Sequence, residues 1–398
     1  MKHISKILMF FSLVAFFSCD EIEHGPNVTN NTPPNDITNL EFVPTNGGFD
    51  ISYDLPAGKN VLYVKAIYTN NKGVESEVRA SAFNNSLKIL GYGDVNEKQV
   101  KVVTVNESEI SSEGVSFSGI PLTPVVDVVA ESVEMRVAFG GIKISWVNET
   151  EVPIAIDIYA ENEFGELEIV ETVYTESLEE TYSLRGRDPV EQAFKLVIRD
   201  RYENISGTVY PDTPNQKLTP LLETRLDKSL FQQVALDNDD NWENWGAVFE
   251  NLWDENPSPE NWVHTQGDIP RPSILTIDLG VNVKLSRFIM HQRGGTWGFR
   301  HANPRTFTAY GSLTLPGQDG NLDDWINLGD FESIKPSGLP VGTLSNEDRQ
   351  RVLDGDEHEF DDQNLVEIRY VRIAVHTAWG GNNATHIREL TFYGQLTN

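Results

Sequence analysis

The chain has 398 residues, 39% of them hydrophobic, with 60 acidic side chains against 31 basic ones and a formal net charge of −29. That length exceeds one compact core and suits two to four domains, and the apolar content excludes wholesale disorder. So negative a field repels nucleic-acid phosphates and anionic lipid headgroups, which removes nucleic acid from the expected partners.

The chain opens with Lys2 and Lys6, the apolar run Ile7 to Phe17, then Ser18 and Cys19. A basic start, an apolar stretch too short to span a bilayer and a small residue before the break predict a secretory signal over residues 1–18. Cys19 is the one cysteine, so no intrachain disulfide and no thiolate metal site can form. The segment resembles a bacterial lipoprotein signal, which implies acylation of Cys19 as the first mature residue. Asp20, Glu21 and Glu23 follow at once. They resemble the Bacteroidetes signal for export to the outer face of the outer membrane, so the expected location is the cell surface, held by lipid. Residues 19–36 are polar and broken by Pro26, Pro33 and Pro34, and read as a tether.

Beyond the tether the chain repeats itself. Gly47-Gly48-Phe49-Asp50-Ile51-Ser52-Tyr53 matches Gly140-Gly141-Ile142-Lys143-Ile144-Ser145-Trp146 at a constant offset of 93 residues. Each copy ends in a proline phrase, Pro121 to Pro124 and Pro211 to Pro214. A period near ninety residues is domain duplication rather than a solenoid repeat. Within each copy short runs alternate apolar and polar residues between turn formers, as in Val100 to Val105 and Phe194 to Arg199, and no amphipathic stretch of helical length stands out. Two small antiparallel β-sandwiches follow as the expectation, residues 37–124 and 125–214, similar to fibronectin type III or immunoglobulin-like modules. Tyr53 and Trp146, at equivalent positions, read as core aromatics of an early strand.

The composition changes after Asp237, since seven of the eight tryptophans lie beyond residue 240. Leu252-Trp253-Asp254 is followed by Trp262, then by the strand-like Ile274 to Leu279 with Gly280 at its turn, then by Leu285 to His291. Val371 to Val375 and Ile387 to Gly394 close the chain. In this order these pieces resemble the discoidin, or coagulation factor five/eight type C, domains, also called galactose-binding-like. The resemblance implies a jelly-roll β-sandwich over residues 215–398, and hence an all-β chain. The three-part layout is similar to lipoproteins of Bacteroidetes polysaccharide-utilisation systems, which implies capture of polysaccharide or oligosaccharide for an importer and its hydrolases. The resemblance also implies a structural calcium ion, held by Asp254, Asn256, Ser258 and Glu389 through hard oxygen ligands. Glu255 stands where that family frequently has glycine. The acidic runs from Asp237 and Asp354 lack the Gly and Glu that an EF-hand requires and read as solvated loops.

A sugar site needs a flat aromatic surface with fixed donors and acceptors around it. The loop 292–305 carries Trp297 among Gly294, Gly295 and Gly298, with Arg293, Arg300, His301 and Asn303 beside it. A second loop, 376–386, carries Trp379 with Asn382 and Asn383. Both indoles could equally be packing residues. Arg271, Arg287, Arg293, Arg300 and Arg305 reverse the sign of charge locally, which favours an acidic sugar by bidentate contacts, unless they pair with the surplus carboxylates. The chain shows no HExxH, no GxSxG, no phosphate-binding glycine loop and no thiol nucleophile, so the expected function is non-catalytic glycan binding. A scaffold or adhesin for a protein partner is the alternative, and a glycosidase using two of the many carboxylates is a further one.

Overall fold

The computed structural model describes residues 30–397 except 59, 257, 259, 268, 269 and 382. The signal peptide, Cys19 and Asn382 therefore lie outside the described residues. The chain divides into two compact units, one of residues 1–128 with 199–205 and one of residues 129–198 with 206–398.

The first unit is built on β1 (Thr38–Thr45), β2 (Gly48–Asp54), β3 (Tyr63–Thr69), β4 (Glu75–Ser81), β5 (Ser86–Ile89), β6 (Lys98–Val105) and β7 (Val115–Gly119). They form two antiparallel sheets, ordered β1-β2-β5 and β4-β3-β6-β7. Alternate residues of β2 and β6 turn inward, so Phe49, Ile51, Tyr53, Val100 and Val102 share one core with Val64, Ala66 and Ile89. The end of the expected tether is not free. Asn106 Nδ2 donates to the carbonyls of Asn30 and Thr32, Thr104 Oγ1 donates to that of Asn35, and Ile37 enters the core. Polar side chains of the sandwich supply the partners that this segment's own sequence lacks.

The second unit opens with α1 (Val125–Ser132), which begins in the first. Its four valines favour a strand by local propensity, which is why the sequence predicted no helix here. The Pro124 carbonyl accepts from the N–H groups of Asp127 and Val128, and Val126 and Val129 are buried one turn apart. Packing of that face outweighs the weak propensity of β-branched residues.

Next come β8 (Glu134–Ala138), β9 (Gly141–Val147), β10 (Ile154–Glu161), β11 (Leu167–Thr175), β12 (Glu179–Leu184), β13 (Gln192–Asp200) and β14 (Lys217–Leu218). Their sheets run β12-β9-β8 and β11-β10-β13-β14. The repeated Gly-Gly pair has a clear cause in both sandwiches. Gly47 and Gly140 take φ of 63° and 66° at the hairpin turn, and a Cβ on Gly48 or Gly141 would lie 1.9 Å from the Ile89 carbonyl oxygen or 1.8 Å from that of Leu184. Tyr53 and Trp146 are both 2% exposed.

The remainder comprises β15 (Thr224–Arg225), β16 (Gln232–Val234), β17 (Val263–His264), β18 (Ser273–His291), β19 (Pro304–Ser312), β20 (Ile326–Glu332), α2 (Asn346–Asp354), β21 (Asp356–Glu359), β22 (Glu367–Ala378), β23 (His386–Ile387) and β24 (Glu389–Leu396). Eight of these strands form one continuous pairing, β15-β24-β18-β22-β19-β20 with β16 and β21 on β18, while β17 and β23 make a separate ribbon. The two strands expected at 274–279 and 285–291 are one long strand that changes partner. Residues 273–278 of β18, with 283 and 284, pair with β22, and residues 283–291 pair on the other side with β24 and in part with β21. Gly280, at φ 72°, makes the bend, and Asp278 accepts from its N–H at 2.8 Å while holding Arg369 by two bonds. Among the described residues only α1 and α2 are α-helices, neither long and apolar enough to cross a membrane.

An ion network ties strands of the second sandwich to β21 and its neighbours. Lys143 meets Glu359 at 2.8 Å and Asp362 at 3.1 Å, Arg136 meets Asp362 at 2.6 Å, and Arg185 meets Glu357 at 3.1 Å and also Glu359. Arg287 belongs here, bound to Glu223 at 3.0 Å and Glu357 at 2.9 Å. It is therefore no part of a sugar-facing basic patch.

Candidate functional site

The loops 292–305 and 376–386 are joined through their backbones. Trp379 N–H donates to the Asn303 carbonyl at 2.9 Å, Gly380 N–H to that of His301 at 2.6 Å, and His386 N–H to that of Ala302 at 3.0 Å. Gly380 makes this approach feasible, because a Cβ there would fall 2.5 Å from His301 Cα. The first loop is anchored by Phe299, whose ring is fully buried and whose backbone N–H donates to Gln292 Oε1. Phe299 and His301 both hold positive φ, 47° and 55°, a conformation that non-glycine residues adopt only where the surroundings impose it.

The side chains of the two loops part company. Asn303 is wholly buried, its Oδ1 accepting from Arg293 N–H and its Nδ2 donating to the carbonyls of Arg293 and Trp297. It braces the loop and has no face for a ligand, which corrects the expectation placed on it. Trp379 stands edge-on to Phe299 at 5.3 Å, donates to Ser333 Oγ and lies under the guanidinium of Arg305, which pairs with Glu332. Trp297 packs instead against His301 at 5.0 Å and under Arg293 at 4.5 Å, with exposed Arg300 over it at 5.6 Å.

A cleft of about 550 Å³ opens beside them, lined by Trp245, Trp262, His264, Gly267, Arg293, His301, Asn383 and Ala384. Three residues expected in a sugar site, Arg293, His301 and Asn383, reach it, and Trp297 backs it through Arg293 and His301. Trp379 does not line it. Trp262 and Trp245 supply the aromatic surfaces instead. Trp245 is 77% exposed on a residue of φ 63°, while its neighbour Trp242 is core, donating from Nε1 to the Ile274 carbonyl. Arg293 is layered between Trp262 and Trp297 and bound to Glu260 at 3.1 Å. Arg271 is spent on structure, reaching Ser273, Thr385 and the carbonyls of Val375 and Ala384.

Two imidazoles, His264 and His301, line the cleft, and a third, His386, is buried against them. His264 and His386 face each other across the β17–β23 ribbon, and the His386 ring stacks on that of His301. Burial, with the charge of Arg293, pushes all three below the usual histidine range, His386 furthest. They are neutral at pH 7, so each offers a lone pair. Sequence reasoning missed Trp262, His264 and His386 as site residues. The alternation Trp262-Val263-His264 around a buried valine was the available signal.

The calcium expectation meets a different chemistry. Glu389 does stand beside the turn, and Glu255 takes φ 61°, the left-handed conformation of the family's glycine. Yet the Glu389 carboxylate is paired with the buried ammonium of Lys228, and Arg225 and Arg388 border the same hollow. Asp254 accepts from Asn256 N–H and Asn261 Nδ2, and Asn256 accepts from Ser258 N–H. A calcium ion needs six to eight oxygens and tolerates no ammonium among them, so the residues present do not fit calcium.

Three family models cover successive parts of the chain, each described as a domain of unknown function: DUF4959 over residues 34–121, DUF5126 over 122–229 and DUF5000 over 249–394. No curated protein matches the sequence. Among solved structures, a carbohydrate-binding module, CBM32-3, of a family 31 glycoside hydrolase from Clostridium perfringens is 19% identical, covering 43% of this chain and 95% of its own, with a TM-score of 0.30. The C-terminal domain of a chitobiase from Bacteroides fragilis is also 19% identical, covering 44% of this chain and 100% of its own at a TM-score of 0.31. A SusE-like protein is 31% identical, covering 69% of this chain and 100% of its own at a TM-score of 0.45. On that identity, maintained over the whole of the relative, this chain belongs to the SusE-like proteins.

Proposed function

We propose that the chain is a non-catalytic glycan-binding lipoprotein, anchored in the outer membrane through Cys19 and exposed at the cell surface. There it captures polysaccharide or oligosaccharide for an importer and its hydrolases. The observation that carries this reading is the cleft itself: two accessible indoles, a guanidinium held between aromatic rings, neutral imidazoles and the exposed amide of Asn383. Apolar C–H faces of a sugar stack on the indoles, while Arg293 donates and the imidazoles of His264 and His301 accept from its hydroxyls. Asp and Glu are absent among the described residues that line the cleft. The pairing of Arg287, Arg293 and Arg305 with carboxylates leaves neutral sugars as apt as acidic ones.

A glycan array and soluble-polysaccharide affinity gels, run with the mature chain and with Trp262→Ala, test the reading. Retardation by at least one glycan, lost in the variant while its circular dichroism is unchanged, is the expected result. Capture of a protein partner with no glycan signal would favour the scaffold instead.

A further inference from the structure

The three imidazoles at and behind the cleft hold more unmet nitrogen than a sugar site needs. One ring nitrogen from each of His264, His301 and His386 lies within 4.8 Å of the others. His386 is 0% exposed, and neither of its ring nitrogens has a hydrogen-bond partner. A neutral imidazole carries one N–H and one lone pair, and burying both unsatisfied is rare enough to call for an explanation. His301 Nδ1 is likewise buried and unpartnered. His264 Nδ1 faces the Thr265 carbonyl, which can only accept, so the proton belongs on Nδ1 and the Nε2 lone pair is left over. A backbone carbonyl on the far nitrogen is the usual way a ligating histidine is oriented.

We propose that His264, His301 and His386 bind one divalent transition-metal ion of the zinc class, with the remaining coordination position open toward the cleft. Three neutral imidazole nitrogens suit zinc, cobalt, nickel or copper, and suit calcium and magnesium badly. The backbone has two of the rings already side by side, through the His264 and His386 pairing, and holds the third by the close approach of Gly380 to His301. Zinc–nitrogen bonds of about 2.0 to 2.1 Å require the three atoms to close in somewhat from their present spacing. His301, partly exposed, borders open space. Arg293 and Arg300 oppose a cation here, since the charge of Arg293 bears on all three rings and that of Arg300 on His301. Glu260 offsets the nearer of them, and the chain's net charge of −29 favours cations overall.

The test uses the whole mature chain without a polyhistidine tag, stripped with a chelator and titrated with Co²⁺ in the absence of any sugar, so that glycan capture does not enter. One saturable equivalent with the intense visible absorption of low-coordinate cobalt, bleached by Zn²⁺, is expected. His301→Ala, whose ring is partly exposed, should lose both the equivalent and the colour with its thermal midpoint retained. His386→Ala should lose them as well. No saturable equivalent, or the same cobalt spectrum in His301→Ala, would overturn the site.

Discussion

The guanidinium of Arg293 lies 4.5 Å from the ring of Trp262 and 4.5 Å from that of Trp297, so one cation joins an indole of the cleft wall to the indole behind it. Cation–π contacts of this kind hold both rings at fixed angles. An aromatic platform that need not be ordered on binding loses less entropy when it takes a sugar.

The first prediction follows from the division between the loops. Trp262→Ala should weaken glycan affinity by about 10- to 100-fold, equivalent to roughly 1.4 to 2.8 kcal/mol. Trp379→Ala, which removes a ring absent from the cleft lining, should leave affinity within about twofold, well under 1 kcal/mol. Isothermal titration with whichever glycan the array selects decides between them. Equal losses in both variants would return Trp379 to the site.

Much of this was legible in the chain, and for physical reasons. Period-two alternation reports a half-buried strand directly, and the repeated Gly47-Gly48 and Gly140-Gly141 pairs report two hairpins in which a backbone oxygen lies where a Cβ would be. Arg293, His301 and Asn383 were found because glycine-rich loops expose what they carry. The misses share one feature, that they depend on partners distant in sequence. His264 and His386 meet across a ribbon two residues long on each side, too short for any periodicity to register. Arg287 is neutralised by Glu223 and Glu357, and Glu389 by Lys228, none of which is a neighbour in the chain. Local pattern identifies the residue types available to a site, whereas long-range pairing decides which of them remain unspent.

The Lys228–Glu389 pair gives the second prediction. Their side chains are 7% and 8% exposed, and burial already raises the Glu389 carboxyl against the lowering effect of Lys228. Lys228→Met leaves a carboxylate without its counterion in a dry place, which should cost about 3 kcal/mol or more. Adding Glu389→Gln should restore most of the loss, because the uncompensated charge is gone. Urea unfolding at neutral pH measures both. A single variant within about 1 kcal/mol of wild type would show the pair to be hydrated.

Gly141→Ala should be far worse than a surface glycine replacement. The new Cβ would lie 1.8 Å from the Leu184 carbonyl oxygen, a main-chain atom held in the β9–β12 pairing, so those two strands must separate to admit it. A loss of about 3 kcal/mol or more is expected, at the upper end for overpacking. Gly186→Ala is the control, since Gly186, unlike Gly141, has positive φ but meets nothing within 4 Å. Its cost should be the backbone term alone, about 1 kcal/mol. Equal midpoints for the two variants in thermal unfolding would refute the steric account.

The last prediction concerns acid. His358 lies among Phe288, Phe307 and Phe331 with ring centroids 5.0 to 5.4 Å away, and burial, helped by Arg351, lowers its pKa to about 4. His291, buried near Arg388 and Lys228, is lowered to about 4 as well. An unfolded histidine titrates near 6.5. Above that pH neither state carries the proton and the fold has its full stability. Between about 6.5 and 4 the unfolded chain takes up a proton that the fold refuses, so stability falls as pH falls, by up to about 1.4 kcal/mol per pH unit for each such group. The buried carboxyls of Asp356 and Glu389, raised by burial, act in the opposite sense, so the contribution of one histidine is best read as a difference. His358→Phe places a ring of similar shape in the same aromatic cluster and should be within about 1.5 kcal/mol of wild type at pH 7. Below pH 6.5 its stability should decline less steeply than that of wild type, by one proton's worth of slope. Urea unfolding at pH 7, 6 and 5 gives the two slopes directly, and parallel lines would mean that His358 is protonated in the folded chain.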